Sequence, residues 1–222
     1  MNIKELKPKR ELNKAFLKVK PNRTDIECFK VNLIQLLDRI NDTESEEFHK
    51  NLVSDFLKKT YYDSAYFINT KGRKDLVVHN GNNAASPVGV IIEAKKPTNK
   101  SEMITTEKLN AKAFHELMLY YLEERITHKN LELKHLVITN INEWFIFDAT
   151  LFERLFAENK NLVRQFNDFE GQRLSGIKTD FFYKQIAEPF WRILHRKLNS
   201  PISTYAIIKT RFAIPTKAMI IN

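Results

Sequence analysis

The sequence has little of several residues on which common functional sites depend. Among its 222 residues are only five glycines, and it contains neither a G-x-x-x-x-G-K-[ST] nor a G-x-G-x-x-G motif, which excludes the glycine-rich loops that bind nucleotide phosphates. Cys28 is the single cysteine, so an intrachain disulfide and a cysteine-rich zinc site are excluded too. The six histidines are scattered without the spacing of metal ligands. Nucleotide binding and structural zinc are therefore not indicated.

Long apolar runs are missing as well. No stretch approaches the roughly 18 residues of a membrane span, and the basic N-terminus lacks the apolar core of a signal peptide. These absences predict a cytoplasmic protein with a reduced cysteine and no membrane partner. The length suits one domain with an appended segment.

Acidic residues are outnumbered by basic ones. The chain has 36 Lys and Arg against 27 Asp and Glu, which gives a net charge of +9 and a pI of about 9.5. Such a balance favours nucleic acid or another anionic partner. Residues 1–23 hold eight bases and two acids, a net charge of +6, and Pro8 and Pro21 interrupt any long helix there. We expect a basic N-terminal arm over residues 1–23 that contacts nucleic-acid phosphates, with Lys9 and Arg10 among the contacts. The alternative, a solvated and partly disordered leader, stays open.

Apolar residues recur at helical or strand spacing along most of the chain. A first helix is predicted from Thr24, as its N-cap, to Ile40. Strands are predicted at 61–69, 75–78, 89–95, 135–140 and 144–149, and further helices at 48–57, 101–127, 151–156 and 180–198. This order predicts one α/β domain over residues 24–198, in which helices flank a mixed central sheet. The structure of the tail, residues 199–222, is left open.

Two of the apolar runs end in charged residues that can act together. Asp75 opens the run DLVVH, and Glu93, Ala94 and Lys95 close the run GVIIEAK, with seventeen residues between Asp75 and Glu93. Strand side chains alternate with period two, so Glu93 and Lys95 point to the same side. If the two strands are neighbours, two carboxylates and an amine meet at one end of a sheet. Two carboxylates suit Mg²⁺, which keeps several waters and binds substrate phosphate, and the amine can orient or help deprotonate a water.

The common interpretation of an isolated E-x-K is an exposed, ion-paired strand. Three observations argue against it. Glu93 ends the run VGVII, which indicates a buried strand where a charge needs a partner. Asp75 begins a second apolar run, and the basic chain suits an anionic substrate. The pattern therefore favours phosphodiester hydrolysis. We also expect substitutions of Lys95 to cost little stability, as at an exposed strand position.

The D-x(17)-E-x-K pattern resembles that of the PD-(D/E)xK nuclease superfamily. Four segments resemble the N-terminal nuclease region of type IIG restriction–modification enzymes: FINTKGRKDLVV, GVIIEAKKPTNKSEM, AFHELMLYYLEERI and HLVITNINEWFIFDATLFERLF. The resemblance covers roughly residues 5–198, and the tail does not continue it. It implies a restriction-endonuclease-like layered fold. Those enzymes join the nuclease to a DNA methyltransferase and a target-recognition domain, and this chain has no Asn-Pro-Pro-Tyr methyltransferase motif.

The resemblance also assigns roles to individual residues. It implies that Asp75, Glu93 and the Ala94 carbonyl bind Mg²⁺, with Mn²⁺ as a substitute, and that Asp75, Glu93 and Lys95 are catalytic. One departure is Lys74, which stands where the superfamily motif has proline. The basic residues predicted to contact DNA from the folded domain are Lys71, Arg73, Lys74 and Lys96.

Accessory residues follow from related nucleases, in which a helix after the catalytic strand carries a Gln-x-x-x-Tyr pair. Here Glu116 and Tyr120 have that spacing, with His115 beside them. Some relatives also bind the metal through a Glu of the first helix, for which Glu27 is the candidate. The alternatives stay open: Tyr120 as a core aromatic, and Glu27 as a solvated helix residue.

The leading hypothesis is a Mg²⁺-dependent endonuclease acting on double-stranded DNA. Its partners would include a methyltransferase and target-recognition region, and a homodimer would cut both strands. Two alternatives remain. One is a catalytically silent DNA-binding or interaction module that keeps the fold. The other is a module whose basic arm binds RNA, although Phe16 is the only aromatic residue in that arm.

Overall fold

The domain is built on a mixed β-sheet. A computed structural model describes residues 3–6, 18–176, 178–198 and 205–211. The strands are β1 (Ile3–Leu6), β2 (Ile68–Lys71), β3 (Lys74–His79), β4 (Val88–Ala94), β5 (His135–Thr139), β6 (Glu143–Asp148) and β7 (Tyr205–Arg211). They are ordered β1-β7-β6-β5-β4-β3-β2. The pairs β1–β7 and β4–β5 are parallel and the others antiparallel. The predicted α/β fold with a mixed sheet is confirmed.

Helices flank this sheet. The α-helices are α1 (Arg23–Asp38), α2 (Glu46–Leu57), α3 (Lys112–Leu122), α4 (Ala149–Phe152), α5 (Lys160–Glu170), α6 (Thr179–Phe181) and α7 (Glu188–Leu198). Wider π-helical turns continue several of them, namely Lys58–Tyr62 after α2, Glu123–Thr127 after α3, Glu153–Ala157 after α4, and Phe182–Ala187 between α6 and α7. Among the described residues, no helix is both long and apolar enough to cross a membrane.

The sheet separates two hydrophobic cores, as the period of two requires. On one face, Val77 and Ile91 pack with apolar residues of α3 to α7, including Phe114 and Phe152. On the other face, Leu76, Val78 and Ile92 pack with α1 and α2. The strands that carry Asp75 and Glu93 are therefore covered on both sides.

The predicted pairing of the two motif strands is confirmed. Leu76 of β3 lies opposite Ile92 of β4, and Val77 lies opposite Ile91. Because the strands are antiparallel, the beginning of β3 meets the end of β4. The parallel pairing of β4 with β5 then requires a crossover, and α3 lies within it.

The strand predicted over residues 61–69 is mostly wrong. Tyr61 lies in the π-helical turn Lys58–Tyr62, and the strand begins only at Ile68. The alternation that suggested a strand comes from aromatic packing against helices: the Tyr61 ring lies 6.4 Å from Phe29 and 6.1 Å from Phe56 between centroids.

Two helix starts also differ from the prediction. The first helix begins at Arg23 and is capped by Asn22 rather than Thr24. The Asn22 side chain accepts a hydrogen bond from Asp25 N at 2.8 Å, and the Asp25 side chain accepts one from Asn22 N at 3.1 Å. The long helix begins at Lys112 instead of Ser101. The Thr105 side chain accepts a hydrogen bond from Lys108 N at 3.0 Å, a local bond of the kind that competes with helix formation.

The terminal segments each contribute a strand. Residues Ile3–Leu6, predicted to be part of the arm, pair with Tyr205–Arg211 of the tail, which also pairs with β6. The predicted phosphate contacts Lys9 and Arg10 lie outside the described residues.

The larger core yields a stability prediction. The Phe114 side chain is buried, and its ring lies 4.7 Å from Trp191, 5.5 Å from Phe147 and 5.6 Å from Phe152. We expect Phe114→Ala to lower the free energy of unfolding by about 3–5 kcal/mol in urea denaturation, because lost burial and a cavity both cost stability. The control Leu131→Ala, at a side chain 76% exposed, should stay within about 0.5 kcal/mol. Similar losses for both variants would contradict the assignment of the core.

Candidate active site

Asp75 and the Glu93–Lys95 segment meet at one end of the sheet. Asp75 Oδ2 accepts a hydrogen bond from Ala94 N at 3.0 Å, which ties the start of β3 to the end of β4. One residue later, Lys95 N donates to Thr139 O of β5 at 2.8 Å. The backbone of the motif is thus held from both neighbouring strands, and the two carboxylates and the amine lie together as expected.

The Lys95 ammonium is buried among carboxylates, with only 3% of the residue exposed. Its Nζ lies 2.6 Å from Glu93 Oε1, 2.8 Å from Glu116 Oε2, 3.2 Å from Glu46 Oε1 and 3.8 Å from Glu102 Oε2. Burial alone would lower the pKa of Lys95, but the carboxylates of Glu93 and Glu116 outweigh it and raise that pKa far above its ordinary value. The amine is therefore a fixed positive charge and not a proton acceptor in this arrangement.

The charged forms of the two motif carboxylates, Asp75 and Glu93, are disfavoured by burial. Burial raises the pKa of Glu93 well above its ordinary value, and the nearby carboxylates of Glu116 and Asp75 raise it further. Burial also raises the pKa of Asp75, although the Ala94 N–H and Lys95 partly offset this. Glu93 Oε2 is buried and accepts no hydrogen bond from the described residues. A buried carboxylate oxygen without a donor is costly unless a proton or cation reaches it.

Glu46 and Glu102 belong to this cluster although the sequence did not mark them. Glu46 is the first residue of α2, directly after the N-cap Ser45, and lies 49 residues before Lys95. Asn99 joins the two acids, because its Nδ2 donates to Glu46 Oε2 at 3.2 Å and to Glu102 Oε2 at 3.1 Å. Glutamate is ordinary in the first turn of a helix, so no sequence signal distinguishes Glu46 as a site residue.

Of the four predicted accessory residues, Glu116 lies in the cluster around Lys95 and Glu27 does not. Tyr120 is buried, and its pKa is strongly raised by burial first and then by the Glu93 carboxyl, so its phenol stays neutral. His115 contacts Asn110 Oδ1 through Nε2 at 2.7 Å, and burial lowers its pKa to about 4. Glu27 is exposed and pairs with Lys30 at 3.5 Å. The structure therefore brings Glu46 of the second helix, and not Glu27 of the first, to the cluster.

The basic residues predicted to contact DNA from the folded domain are engaged with protein groups. Lys71 pairs with Glu124 at 3.2 Å and Arg73 with Glu170 at 2.7 Å, while both stay partly exposed. Lys96 donates to the backbone oxygens of Asp42 and Glu44.

Lys74 is the exception among these bases. Its side chain is 1% exposed and lies between Glu123 and Glu124, at 3.2 Å from each. A phosphate contact needs an accessible ammonium, so the burial of Lys74 argues against the predicted DNA contact.

The donor set suits the Mg²⁺ that the motif implies. Asp75 and Glu93 offer hard carboxylate oxygens, among them the buried Glu93 Oε2, and the Ala94 carbonyl directly follows Glu93 in the chain. Within the described ranges, no group of three acidic, histidine or cysteine side chains could hold a metal by itself. Two carboxylates completed by waters and substrate phosphate are the usual protein share of a Mg²⁺ site.

Comparison with known proteins identifies the family to which this chain belongs. A family model described as a domain of unknown function, DUF7149, matches residues 6–210. The chain belongs to this family. The match runs from Leu6 of β1 to Thr210 of β7. The DUF7149 domain therefore includes most of the tail strand, which the nuclease resemblance did not cover. No curated protein and no solved structure matches the chain.

The raised pKa of Asp75 gives the DUF7149 site a signature in the pH dependence of stability. The folded domain binds this proton more tightly than the unfolded chain does, so stability falls as pH rises from about 4, the ordinary aspartate value, through the raised pKa. Asp75→Asn keeps an oxygen for the Ala94 N–H but removes the charge. We expect the variant to gain stability over wild type above the raised pKa and the gain to vanish near pH 4, in urea unfolding followed from pH 4 to pH 8.

The exposed Asp42 provides the control for that measurement. Asp42→Asn should follow the wild-type pH profile. An advantage of Asp75→Asn that is the same at pH 4 and pH 7 would show that ionisation of Asp75 is not its cause.

Cation binding gives a second signature. Mn²⁺ that binds only the folded domain should raise its melting temperature, by an amount corresponding to about 2.7 kcal/mol at 100 times Kd. Glu93→Gln should abolish this shift because it removes a proposed ligand charge, whereas Glu158→Gln, at an exposed position, should retain it. Equal shifts in wild type and Glu93→Gln, measured by differential scanning fluorimetry, would rule out cation binding at this cluster.

Proposed function

We propose that this DUF7149 domain is a Mg²⁺-dependent DNA endonuclease of the PD-(D/E)xK type. One observation carries the proposal: the carboxylates of Asp75 and Glu93 and the ammonium of Lys95 meet at the ends of two paired strands, beneath a helix that supplies Glu116. The reaction would be hydrolysis of a phosphodiester bond in double-stranded DNA, leaving 5′-phosphate and 3′-hydroxyl ends.

Each residue has a distinct task in this proposal. Asp75, Glu93 and the Ala94 carbonyl would hold the cation. Mg²⁺ bound there would supply Lewis-acid polarisation of the phosphate and lower the pKa of a bound water. Lys95 would orient the attacking water and stabilise the negative charge that develops on the phosphate, as a preorganised cation does in a buried site. Its ion pairs with Glu93 and Glu116 support a role for Lys95 as a charge rather than a base.

The wider assignment rests on the type IIG resemblance. The domain would be the cleavage part of a restriction–modification system in the cytoplasm, with a methyltransferase and target-recognition region as partner and a homodimer for cutting both strands. The basic segment 1–23, including Lys9 and Arg10, would contact the phosphate backbone without reading sequence. The partly exposed Lys71, Arg73 and Lys96 are further proposed contacts.

A second candidate is a catalytically silent module with the same fold. The observation that favours it is the burial of Lys95, which is 3% exposed and surrounded by four carboxylates. Such a site could serve only to hold α2, α3 and the sheet together. This module would bind DNA without cutting it in any divalent cation.

Cleavage of supercoiled plasmid separates the two candidates. We expect nicking or linearisation in Mg²⁺, none in EDTA, and a loss of at least about 100-fold in rate for Glu93→Gln, since a group that binds developing charge or its cation contributes on this order. Glu158→Gln is the matched control and should cleave at the wild-type rate. Plasmid binding without cleavage in Mg²⁺ or Mn²⁺ would favour the silent module.

Lys95→Ala is a poor first test because of its surroundings. The structure contradicts the expectation of an exposed position, because only 3% of Lys95 is exposed. Removing its ammonium takes a cation away from the buried Glu93 and Glu116 carboxylates. Breaking a buried ion pair in this way typically costs about 3–5 kcal/mol. Loss of activity in that variant would therefore not separate chemistry from folding, whereas the isosteric Glu93→Gln reduces an excess of negative charge.

A further inference from the structure

The turn between β2 and β3 is fastened to the helix that crosses the sheet. Lys74 Nζ lies 3.2 Å from Glu123 Oε2 and 3.2 Å from Glu124 Oε1, and Lys71 Nζ lies 3.2 Å from the same Glu124 oxygen. The Lys74 and Glu124 side chains are each only 1% exposed. We call these four residues (Lys71, Lys74, Glu123 and Glu124) the clamp. Two ammoniums and two carboxylates leave it without net charge.

The Glu124 carboxylate of the clamp stays ionised although it is buried. Burial alone would raise the pKa of Glu124, but the ammoniums of Lys74 and Lys71 outweigh it and lower that pKa. Asn130 adds a further bond, since its Nδ2 donates to Glu124 Oε2 at 3.3 Å and to Val88 O of β4 at 2.9 Å. The Glu124 carboxylate is therefore tied to β2, β3 and β4 at once.

Both glutamates of the clamp lie at the end of the helix that crosses the sheet. Glu123 and Glu124 begin the π-helical turn that continues α3, closed by His128 N donating to Glu123 O at 3.0 Å. In an ordinary α-helix, consecutive side chains diverge by about 100°, yet here both glutamates reach one ammonium.

The clamp connects β3, which carries Asp75, with the helix that carries Glu116. Lys74 immediately precedes Asp75 on β3, and Glu124 lies eight residues after Glu116 on the same continuous helix. A buried ion pair adds little to stability compared with apolar residues of the same volume. Its effect here is instead geometric, because it fixes where β3 begins relative to the helix that carries Glu116.

We propose that Lys74 is a positioning residue, which through Glu123 and Glu124 holds the Asp75 carboxylate in register with Glu93 and Glu116. This inference rests on the proposed nuclease function. It replaces the predicted DNA contact of Lys74 with a role inside the protein. Groups that orient a metal ligand typically contribute 10- to 100-fold in metal affinity or activity, and a misplacement of about 1 Å can cost 100-fold in rate.

The test compares Lys74→Met, Lys74→Arg and wild type in plasmid cleavage, with Mn²⁺ titrated into each. Because Lys74→Met removes a cation from the buried Glu124, the rates are compared at a temperature at which circular dichroism shows all three proteins to be folded. We expect Lys74→Met to lower kcat by about 10- to 100-fold and to raise the Mn²⁺ concentration for half-maximal rate. The DNA Kd measured in EDTA should change less than about twofold, because the buried ammonium contacts no phosphate. Lys74→Arg should recover most of the rate, since it keeps the charge.

Arg125→Met is the matched control for a purely structural effect. Arg125 lies on the same π-helical turn and pairs with Glu153, which is not part of the clamp, through two bonds at 2.7 and 2.8 Å. It should lower the melting temperature while kcat and the Mn²⁺ requirement stay at wild-type values. Lys74→Met behaving in the same way would overturn the positioning role, as would a loss of DNA affinity in EDTA without a change in kcat.

The proposed function and this inference fail differently. Wild type that does not cleave DNA yet gains thermal stability in Mn²⁺ would contradict the nuclease activity. Positioning by Lys74 would then be supported if Lys74→Met needed about tenfold more Mn²⁺ for the same thermal shift, and overturned if the two titrations coincided. Wild type that shows neither cleavage nor a Mn²⁺ shift would overturn both.

Discussion

A lysine ammonium can be buried only if negative charge surrounds it, and the centre of this domain is organised around meeting that requirement at Lys95. Removing an ammonium from water costs several kcal/mol, and only well-placed carboxylates offset it. Glu93 of β4, Glu116 of α3 and Glu46 of α2 all reach this one nitrogen. The sheet and the helices on both of its faces thus converge on a single charge.

The same requirement leaves the site with a surplus of acid. Carboxylates outnumber ammoniums around Lys95, and the pKa values of Asp75 and Glu93 are raised. The clamp next to Asp75 is arranged in the opposite way, with charges that balance and a glutamate whose pKa is lowered. A balanced cluster suits a structural role, whereas an acidic surplus suits a site that takes up a cation. This contrast supports the proposed division between the cation-binding and positioning residues.

Much of this arrangement was predictable because it depends on local periodicity. The alternation in DLVVH and GVIIEAK gives strands with Val77 and Ile91 on one face and Leu76 and Ile92 on the other, which the two cores confirm. The same pattern places Asp75 and Glu93 at the ends of adjacent strands. Errors arose where packing imitates a pattern, as at Tyr61, or where side chains such as Thr105 and Asn99 hold irregular turns through residues that look helical.

The sequence by itself determined the α/β fold, the adjacency of the two motif strands and the catalytic hypothesis, because each follows from the period of two and from residues near one another in the chain. Only the tertiary structure decided which distant charges complete the cluster. Glu46 lies 49 residues before Lys95, and nothing local distinguishes it from Glu27. The burial of Lys74 was equally invisible, since a lysine beside a turn is normally solvated and becomes buried only when two glutamates from another element surround it.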